Sequence, residues 1–306
     1  MVGRELVAEL AALGPVREEE PLGRHTTFGI GGPADAYFVA DSPEVLGHAV
    51  ALCHRHQTPF FVLGSGSNVV VGDRGMRGVT IENRATQVEG PQPDDDSALL
   101  QAGSGASLAA LARSLARQGW AGLEWASGIP GTVGGAVVYN AGAYGGCLAD
   151  VLLSVDIANG AGRKQVPATQ LGLTYRGSAF TRGFLEGKAV LGASFRLLRG
   201  DAARLAERVS ELDRRRLAAQ PRGRNAGSVF KNTPEHPAWW LIDQVGLRGY
   251  RIGDAVISTK HTNFIVNAGR ARAADVKALV ELARERVMAR FGLELELEVA
   301  LVGEGF

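Results

Sequence analysis

Ser127-Gly128-Ile129-Pro130-Gly131-Thr132-Val133-Gly134-Gly135-Ala136, followed after three residues by Asn140-Ala141-Gly142-Ala143-Tyr144-Gly145, is the stretch on which the reading of this chain turns. Glycine lets the backbone turn tightly or come close to a ligand. The 41 glycines of this chain are clustered rather than scattered. Two further clusters precede the long one: Gly29-Ile30-Gly31-Gly32, and Gly64-Ser65-Gly66-Ser67-Asn68. The first fits Gly-x-Gly-x-x-Ala loosely. However, no long strand leads into it, no helix starts at Pro33, and no ribose-binding acid follows at the right distance. The second lacks the Gly-Lys-Ser/Thr ending of a P-loop. The context of these loops therefore speaks against a Rossmann or P-loop site. Consecutive amides with serine hydroxyls still suit an anion nest, and tight structural turns fit either loop alone equally well.

Hydrophobic spacing supplies the frame around these loops. Leu6, Val7, Leu10 and Leu13 predict a short helix ending near Val16. A strand over Ala36–Ala40, a helix opened by Ser42-Pro43-Glu44, and a buried strand at Phe60–Leu63 form a β-α-β unit. That unit delivers Gly64–Asn68 at a strand's C-terminal end, where open α/β sheets bind ligands. Further strands are predicted at Gly78–Ile81, Ala98–Ala102, Leu152–Ala158 and Ala189–Leu198, with a helix at Leu108–Arg117. Asp94-Asp95-Asp96 reads as a solvated turn rather than a metal site, because no other ligand type lies nearby. Composition shifts near residue 200, where Asp201–Leu217 is a charged amphipathic helix ending in Arg214-Arg215-Arg216. Those arginines suit a phosphate contact or a basic last turn complementing the helix dipole. Beyond it come a helix near Ala238–Val245, strand pieces at Ala255–Ser258 and Asn263–Val266, and a helix with Val276, Leu279, Val280, Ala283, Val287 and Met288 on one face. Leu293–Val299 alternates strictly and predicts a half-buried strand carrying Glu294, Glu296 and Glu298 on one side. The expected class is α+β. Residues 1–200 form one region of two subdomains, about 1–83 and 84–200, and residues 201–306 form a second domain.

Composition removes several function classes. With 33 Lys plus Arg against 32 Asp plus Glu, a net charge of +1 gives no electrostatic basis for binding nucleic acid. Cys53 and Cys147 cannot build a disulfide framework, and they fit a reducing compartment. No apolar run spans a bilayer, and Arg4, Glu5 and Glu9 interrupt the place of a secretory stretch. A cytoplasmic protein without membrane insertion, metal or obligate protein partner is expected.

Three glycine clusters in one region, with no Walker or Rossmann signature, resemble the FAD-binding fold of the vanillyl-alcohol oxidase (PCMH) type. More narrowly, the chain resembles the UDP-N-acetylenolpyruvoylglucosamine reductase (MurB) family. The residues that carry this are Thr26–Gly32, Leu63–Asn68, Ser127–Ala136, Asn140–Gly145, Tyr175-Arg176-Gly177-Ser178, Gly227-Ser228-Val229-Phe230-Lys231-Asn232, Gly246–Ala255 and His261–Asn267. They come in the family's order and cover about residues 24–303. The resemblance implies reduction of an enolpyruvyl ether of UDP-N-acetylglucosamine to UDP-N-acetylmuramate, in peptidoglycan precursor synthesis, with NADPH as donor. It implies an FAD-binding fold followed by a C-terminal α+β substrate-binding domain. FAD is expected non-covalently at Gly64, Ser65, Gly66, Ser67, Asn68, Gly128, Ile129, Pro130, Gly131, Gly134, Gly135, Asn140, Gly142, Ala143, Tyr144 and Gly145. The glycine loops offer no obvious linking group, and His25 is the one to check. The family's catalytic residues map onto Arg176, Ser228 and Glu298, and its substrate-side positions onto Tyr175, Lys231 and Asn232.

Those residue types suit that chemistry. Hydride addition to the alkene leaves negative charge spreading onto the neighbouring carboxylate, and a guanidinium that never loses its proton is a good partner for it. Serine is a weak acid, but a carbanion-like enol is a strong base, so a positioned hydroxyl can serve. Each residue also has a plain structural role open to it: a surface Tyr-Arg pair, a serine capping a turn, and solvent-facing glutamates. Two other functions stand beside the reductase, a different flavin oxidase of the same fold and a flavin- or nucleotide-sugar-binding module without catalysis. The chain departs from the family at Tyr139, where methionine is expected, and at Thr233, where proline is common. Only residues 177–189 separate Arg176 from the strand at Val190, so no tyrosine-bearing insertion fits there and the shorter branch of the family is implied.

Overall fold

A computed structural model describes residues 2–183 and 185–306 of the chain. Packing divides it into two units that interleave in sequence. The first comprises Met1–Glu18, Ala36–Gly64 and Gly78–Arg216, and the second Glu19–Asp35, Ser65–Arg77 and Leu217–Phe306.

In the first unit, helix α1 (Arg4–Leu13) and helix α2 (Pro43–Arg55) bury Leu6, Leu10, Leu46, Ala49, Val50 and Cys53 in one core. The Ser42 hydroxyl accepts from the Val45 amide and Pro43 follows it, so α2 starts where the sequence punctuates it. The chain gives a sheet ordered Val16–Pro21, Pro33–Ala40, Met76–Asn83, Phe60–Leu63, in which the last two strands run parallel. A second sheet is antiparallel and ordered Gly162–Pro167, Leu152–Asn159, Ala189–Arg199, Ser97–Gly103, Val88–Asp94. Helix α3 (Leu108–Arg117), capped by the Ser107 hydroxyl, turns Leu108, Leu111, Ala112 and Leu115 into that sheet's core. The short α4 (Val133–Val138) follows, and α5 (Ala202–Ala219) comes after the last strand. Burial pushes the Cys53 thiol up to about 12, so it stays protonated and packs as a small apolar group.

The second unit is built on α6 (Ala238–Gln244), α7 (Ala273–Phe291) and a three-stranded antiparallel sheet ordered Arg251–Ile252, Ala255–Ile257, Ile265–Asn267. Its core joins Val276, Leu279, Val280, Ala283 and Val287 of α7 to Phe28, Ile30, Val70, Leu241 and Phe230, whereas Met288, expected on the same face, is exposed at the rim of the helix stripe. The first amides of α7, at Ala273 and Ala274, donate to the Asp73 carboxylate at 2.8 and 3.2 Å. Among the described residues, no helix is long and apolar enough to cross a membrane.

Two sequence expectations are corrected. The first helix ends at Leu13, and Val16 already belongs to a strand, because Gly14 and Pro15 close the helix. Leu293–Val299 is not a strand. Its burial does alternate, but its backbone bonds are isolated ones, and regular pairing starts only at Ala300–Val302, which runs parallel to Val69–Val71. The strand Val88–Asp94, which the sequence does not announce, carries Pro91 and Pro93 and lies at the edge of its sheet, where missing donors are tolerated. Asp95 and Asp96 form the tight turn that follows it.

Asn267 knits the second unit together. Its buried side chain donates to the Phe28 carbonyl and accepts from the Gly269 and Ala271 amides, each at 3.1 Å. Asn267→Ala strands three partners at once and should lower stability by about 2–4 kcal/mol in urea unfolding. A loss below about 0.5 kcal/mol would show that this network does not hold the unit.

Candidate active site

Strand Phe60–Leu63 ends at Gly64, whose backbone lies against Thr132 so closely that an added Cβ would stand 2.6 Å from Thr132 Oγ1. The same hydroxyl accepts from the Gly135 amide, and the Leu108 amide donates to the Gly131 carbonyl. The second and third glycine clusters thus meet at Gly64 and Thr132 in a contact that only a missing Cβ allows. At Gly135 and Gly145, by contrast, an added Cβ meets nothing closer than 3.7 Å and nothing within 4 Å respectively. Both glycines are exposed, and a Cβ there would fill open space beside the loop. Packed glycines behind and open ones in front form a cradle suited to a planar or phosphate-bearing group. Ile129 packs on the core, Pro130 is exposed, Gly134 packs on Ser104, and Gly142-Ala143 pairs with Gly146-Cys147 in a minimal hairpin with Tyr144 at its tip.

Asn140 is buried and its amide is committed, donating to the Thr174 carbonyl and accepting from the Ala149 amide. Thr174 and Gly177 exchange both backbone hydrogen bonds, at 2.9 and 3.2 Å, and so close the turn that carries Tyr175 and Arg176. Arg176 takes φ +51°, a left-handed conformation that a non-glycine residue adopts only when its surroundings impose it. Its guanidinium lies 5.4 Å from the centre of the exposed Tyr175 ring.

In the second unit, Gly66 carries φ +61°, and a Cβ there would lie 2.3 Å from the His25 carbonyl oxygen. The Thr27 amide donates to the Gly66 carbonyl at 3.1 Å, and Ser65 donates to the Ser67 hydroxyl at 3.2 Å. The His25 ring is 2.9 Å from the Glu20 carboxylate. Asn68 donates to the Glu298 carbonyl at 3.1 Å, while its own carbonyl accepts from the Ala300 amide. Ser228 lies in the segment that is paired with the same stretch: the Glu298 amide donates to the Val229 carbonyl at 2.9 Å, and the Lys231 amide to the Glu296 carbonyl at 2.8 Å. On the other side Asn263, which sequence reasoning did not single out, brackets Phe230. Its Oδ1 accepts from the Phe230 amide and its Nδ2 donates to the Phe230 carbonyl. Its only sequence signal was its place inside the His261–Asn267 motif.

Ser228 and Glu298 are therefore brought together, one residue apart across a paired backbone, and both are half-buried. Glu294 and Glu296 are exposed. Among the described residues nothing forms a hydrogen bond with the Ser228 hydroxyl, so it does not cap a turn. Lys231 forms an ion pair with Glu296. Asn232 accepts from the Ala238 amide at 3.0 Å, at the start of α6. Thr233 closes the same turn with two hydrogen bonds to the His236 backbone, which accounts for a threonine where proline is common. A cavity of about 320 Å³ in this unit, lined by Gly29–Gly32, Asp73 and Arg224 among others, contains none of these residues.

Comparison with known proteins agrees with this anatomy. A profile described as "FAD binding domain" matches residues 34–165, and one for the C-terminal domain of UDP-N-acetylenolpyruvoylglucosamine reductase matches residues 219–302. The UDP-N-acetylenolpyruvoylglucosamine reductase of Chloroflexus aggregans is 42% identical over 290 residues, covering 94% of this chain and 97% of that one. That of Rubrobacter xylanophilus is 44% identical over 286 residues, covering 94% and 95%. The crystal structure of UDP-N-acetylenolpyruvylglucosamine reductase (MurB) from Thermus caldophilus superposes with a TM-score of 0.77 at 36% identity, covering 94% of this chain and 99% of that one. On these matches, which run nearly end to end, the chain belongs to the UDP-N-acetylenolpyruvoylglucosamine reductase (MurB) family.

Proposed function

We propose that this protein is an FAD-dependent oxidoreductase that uses NADPH to reduce UDP-N-acetylglucosamine enolpyruvate to UDP-N-acetylmuramate, a step of peptidoglycan precursor synthesis in the cytoplasm. The observation that carries the reading is the Ser228 hydroxyl, half-buried beside Glu298 on a doubly paired backbone and engaged by no described residue. A hydroxyl held this way is kept for something that the chain itself does not supply.

FAD, when bound, supplies a two-electron carrier between the nicotinamide and the alkene. In our reading Gly64–Asn68, Gly128–Gly131, Gly134, Gly135 and Asn140–Gly145 hold it non-covalently. Asn140 acts through its backbone, since its amide is spent on Thr174 and Ala149. With His25 already against Glu20, no linking group stands ready. The chain's own work is electrostatic and protolytic. Arg176, preset by its left-handed turn, faces the charge that develops on the substrate carboxylate, and Glu298 shares that task. Ser228 gives its proton to the substrate carbon. Tyr175, Lys231 and Asn232 line the nucleotide-sugar side. The Lys231–Glu296 pair has an exposed glutamate, so exchanging that partner for a phosphate costs little. Residues 1–200 hold the flavin and also bring Tyr175 and Arg176 to the substrate, residues 201–306 supply the rest of the substrate side, and no protein partner is required.

Ser228→Ala should keep its fold, its FAD and its bleaching by NADPH, whereas product formation should fall roughly 10²–10⁴-fold. Stopped-flow absorbance of the two half-reactions reads both, and normal reoxidation by substrate in the variant would remove serine from the mechanism. Arg176→Lys should lose on the order of 10²–10³ in turnover, because a point charge lacks the planar fork. Glu298→Gln should retain far more turnover than Glu298→Ala if a hydrogen bond is what matters. Equal losses in steady-state kcat would assign the glutamate to proton transfer instead.

A further inference from the structure

The arginine run that closes α5 is divided by the fold. Arg214 and Arg215 are exposed, and Arg215 pairs with Glu211. Arg216 turns inward along the third glycine loop, where a Cβ built on Gly128 would stand 2.6 Å from Arg216 Cδ and 3.5 Å from its Nε. Tyr144, Arg176 and Asp213 all lie within its electrostatic reach. The carboxylate among them is already engaged: Asp213 Oδ1 accepts from the Ser127 hydroxyl at 2.9 Å, and Oδ2 from Arg113 at 3.1 Å. Among the described residues, none forms a hydrogen bond or ion pair with the Arg216 guanidinium. Burial lowers its pKa, and the like charge of Arg176 acts in the same direction.

A guanidinium cannot relieve this by losing its proton. It remains a partly desolvated cation near a second cation, and the one carboxylate in reach, Asp213, has its oxygens engaged by Ser127 and Arg113, so the arrangement is costly until an anion completes it. Both guanidiniums belong to the unit that holds the open glycines Gly135 and Gly145. An arginine fork matches the paired oxygens of a phosphate or carboxylate.

We propose that Arg216 is an anion-binding residue that holds a phosphate or carboxylate oxygen of a bound ligand beside Gly128. Only the identity of that ligand rests on the function proposed above. The oxyanion has two sources in that reading, the diphosphate of FAD and the charged groups of the UDP-sugar. The test has an arm for each: flavin-fluorescence titration of apoprotein with FAD, and calorimetric titration of FAD-loaded protein with the UDP-sugar. Arg216→Gln should weaken one of them roughly 10–100-fold, the range of a lost charge-assisted hydrogen bond. Arg216→Lys should recover part of the loss, more at low salt than at high. A loss in the first arm assigns Arg216 to the flavin nucleotide, and a loss in the second to the substrate. Should Arg216→Gln not fold, Arg216→Lys, which keeps the charge but lacks the fork, carries the same test through the salt dependence of its affinity. Affinities within about twofold of the wild type in both arms would overturn the proposal and leave Arg216 as packing for Gly128. If the wild type binds neither ligand, the functional reading fails separately. Arg216 is then tested by inorganic pyrophosphate, whose thermal stabilisation of the wild type should vanish in Arg216→Gln, and equal stabilisation of both would overturn it.

Discussion

A three-segment backbone arrangement governs the second unit. Val229 and Phe230 are held from one side by Asn263, through its main chain and both ends of its amide, and from the other by Leu297 and Glu298. Two neighbours pin the same short stretch, so Ser228 cannot drift along its own chain, and Glu298 is placed by the pairing rather than by its side chain. Asn68 extends the constraint. Its amide reaches the Glu298 carbonyl, and the parallel pairing of Val69–Val71 with Ala300–Val302 begins immediately after it. The serine–glycine loop, the serine and the glutamate are thus three consequences of one hydrogen-bond pattern. Their geometry is set before any ligand arrives, which is what preorganised stabilisation of a developing charge requires.

In the first unit the corresponding constraint is steric. A Cβ on Gly64 would stand 2.6 Å from Thr132 Oγ1, and one on Gly128 2.6 Å from Cδ of the flexible Arg216 side chain. Arg176, which is not glycine, is nevertheless forced to positive φ by the Thr174–Gly177 exchange, and Asn140 braces that turn from beneath. Residues held in such conformations cost about 1–3 kcal/mol each and persist where the surroundings over-determine them. The strain at Arg176 is therefore consistent with a side chain whose aim matters more than its comfort.

Much of this was legible in the residues. Helices α3 and α7 follow from their apolar stripes, and α2 from Ser42-Pro43. The glycine clusters, through the family they resemble, led to the loops that the structure packs against Thr132 and leaves open at Gly135 and Gly145. What failed did so for local reasons. Alternation over Leu293–Val299 reports which side chains are buried, and it cannot distinguish a sheet ladder from a stretch held by isolated backbone bonds. Pro91 and Pro93 hid an edge strand because their missing donors matter only in a sheet interior. The division of labour within Arg214-Arg215-Arg216 has no sequence signal at all, since it depends on which face of α5 meets Gly128. Nor does the sequence separate Glu298 from Glu294 and Glu296 by pattern. Their difference arises from the carbonyl of Val229 and the amide of Asn68.

The reaction proposed for this chain carries two electrons from a nicotinamide to an enolpyruvyl ether. The direct measurement is to supply purified, FAD-loaded protein with NADPH and UDP-N-acetylglucosamine enolpyruvate, without oxygen, and to follow nicotinamide absorbance and product mass together. One NADPH should be oxidised for each sugar nucleotide made heavier by two hydrogens. A flavin that NADPH reduces while the enolpyruvyl nucleotide is recovered unchanged would contradict it.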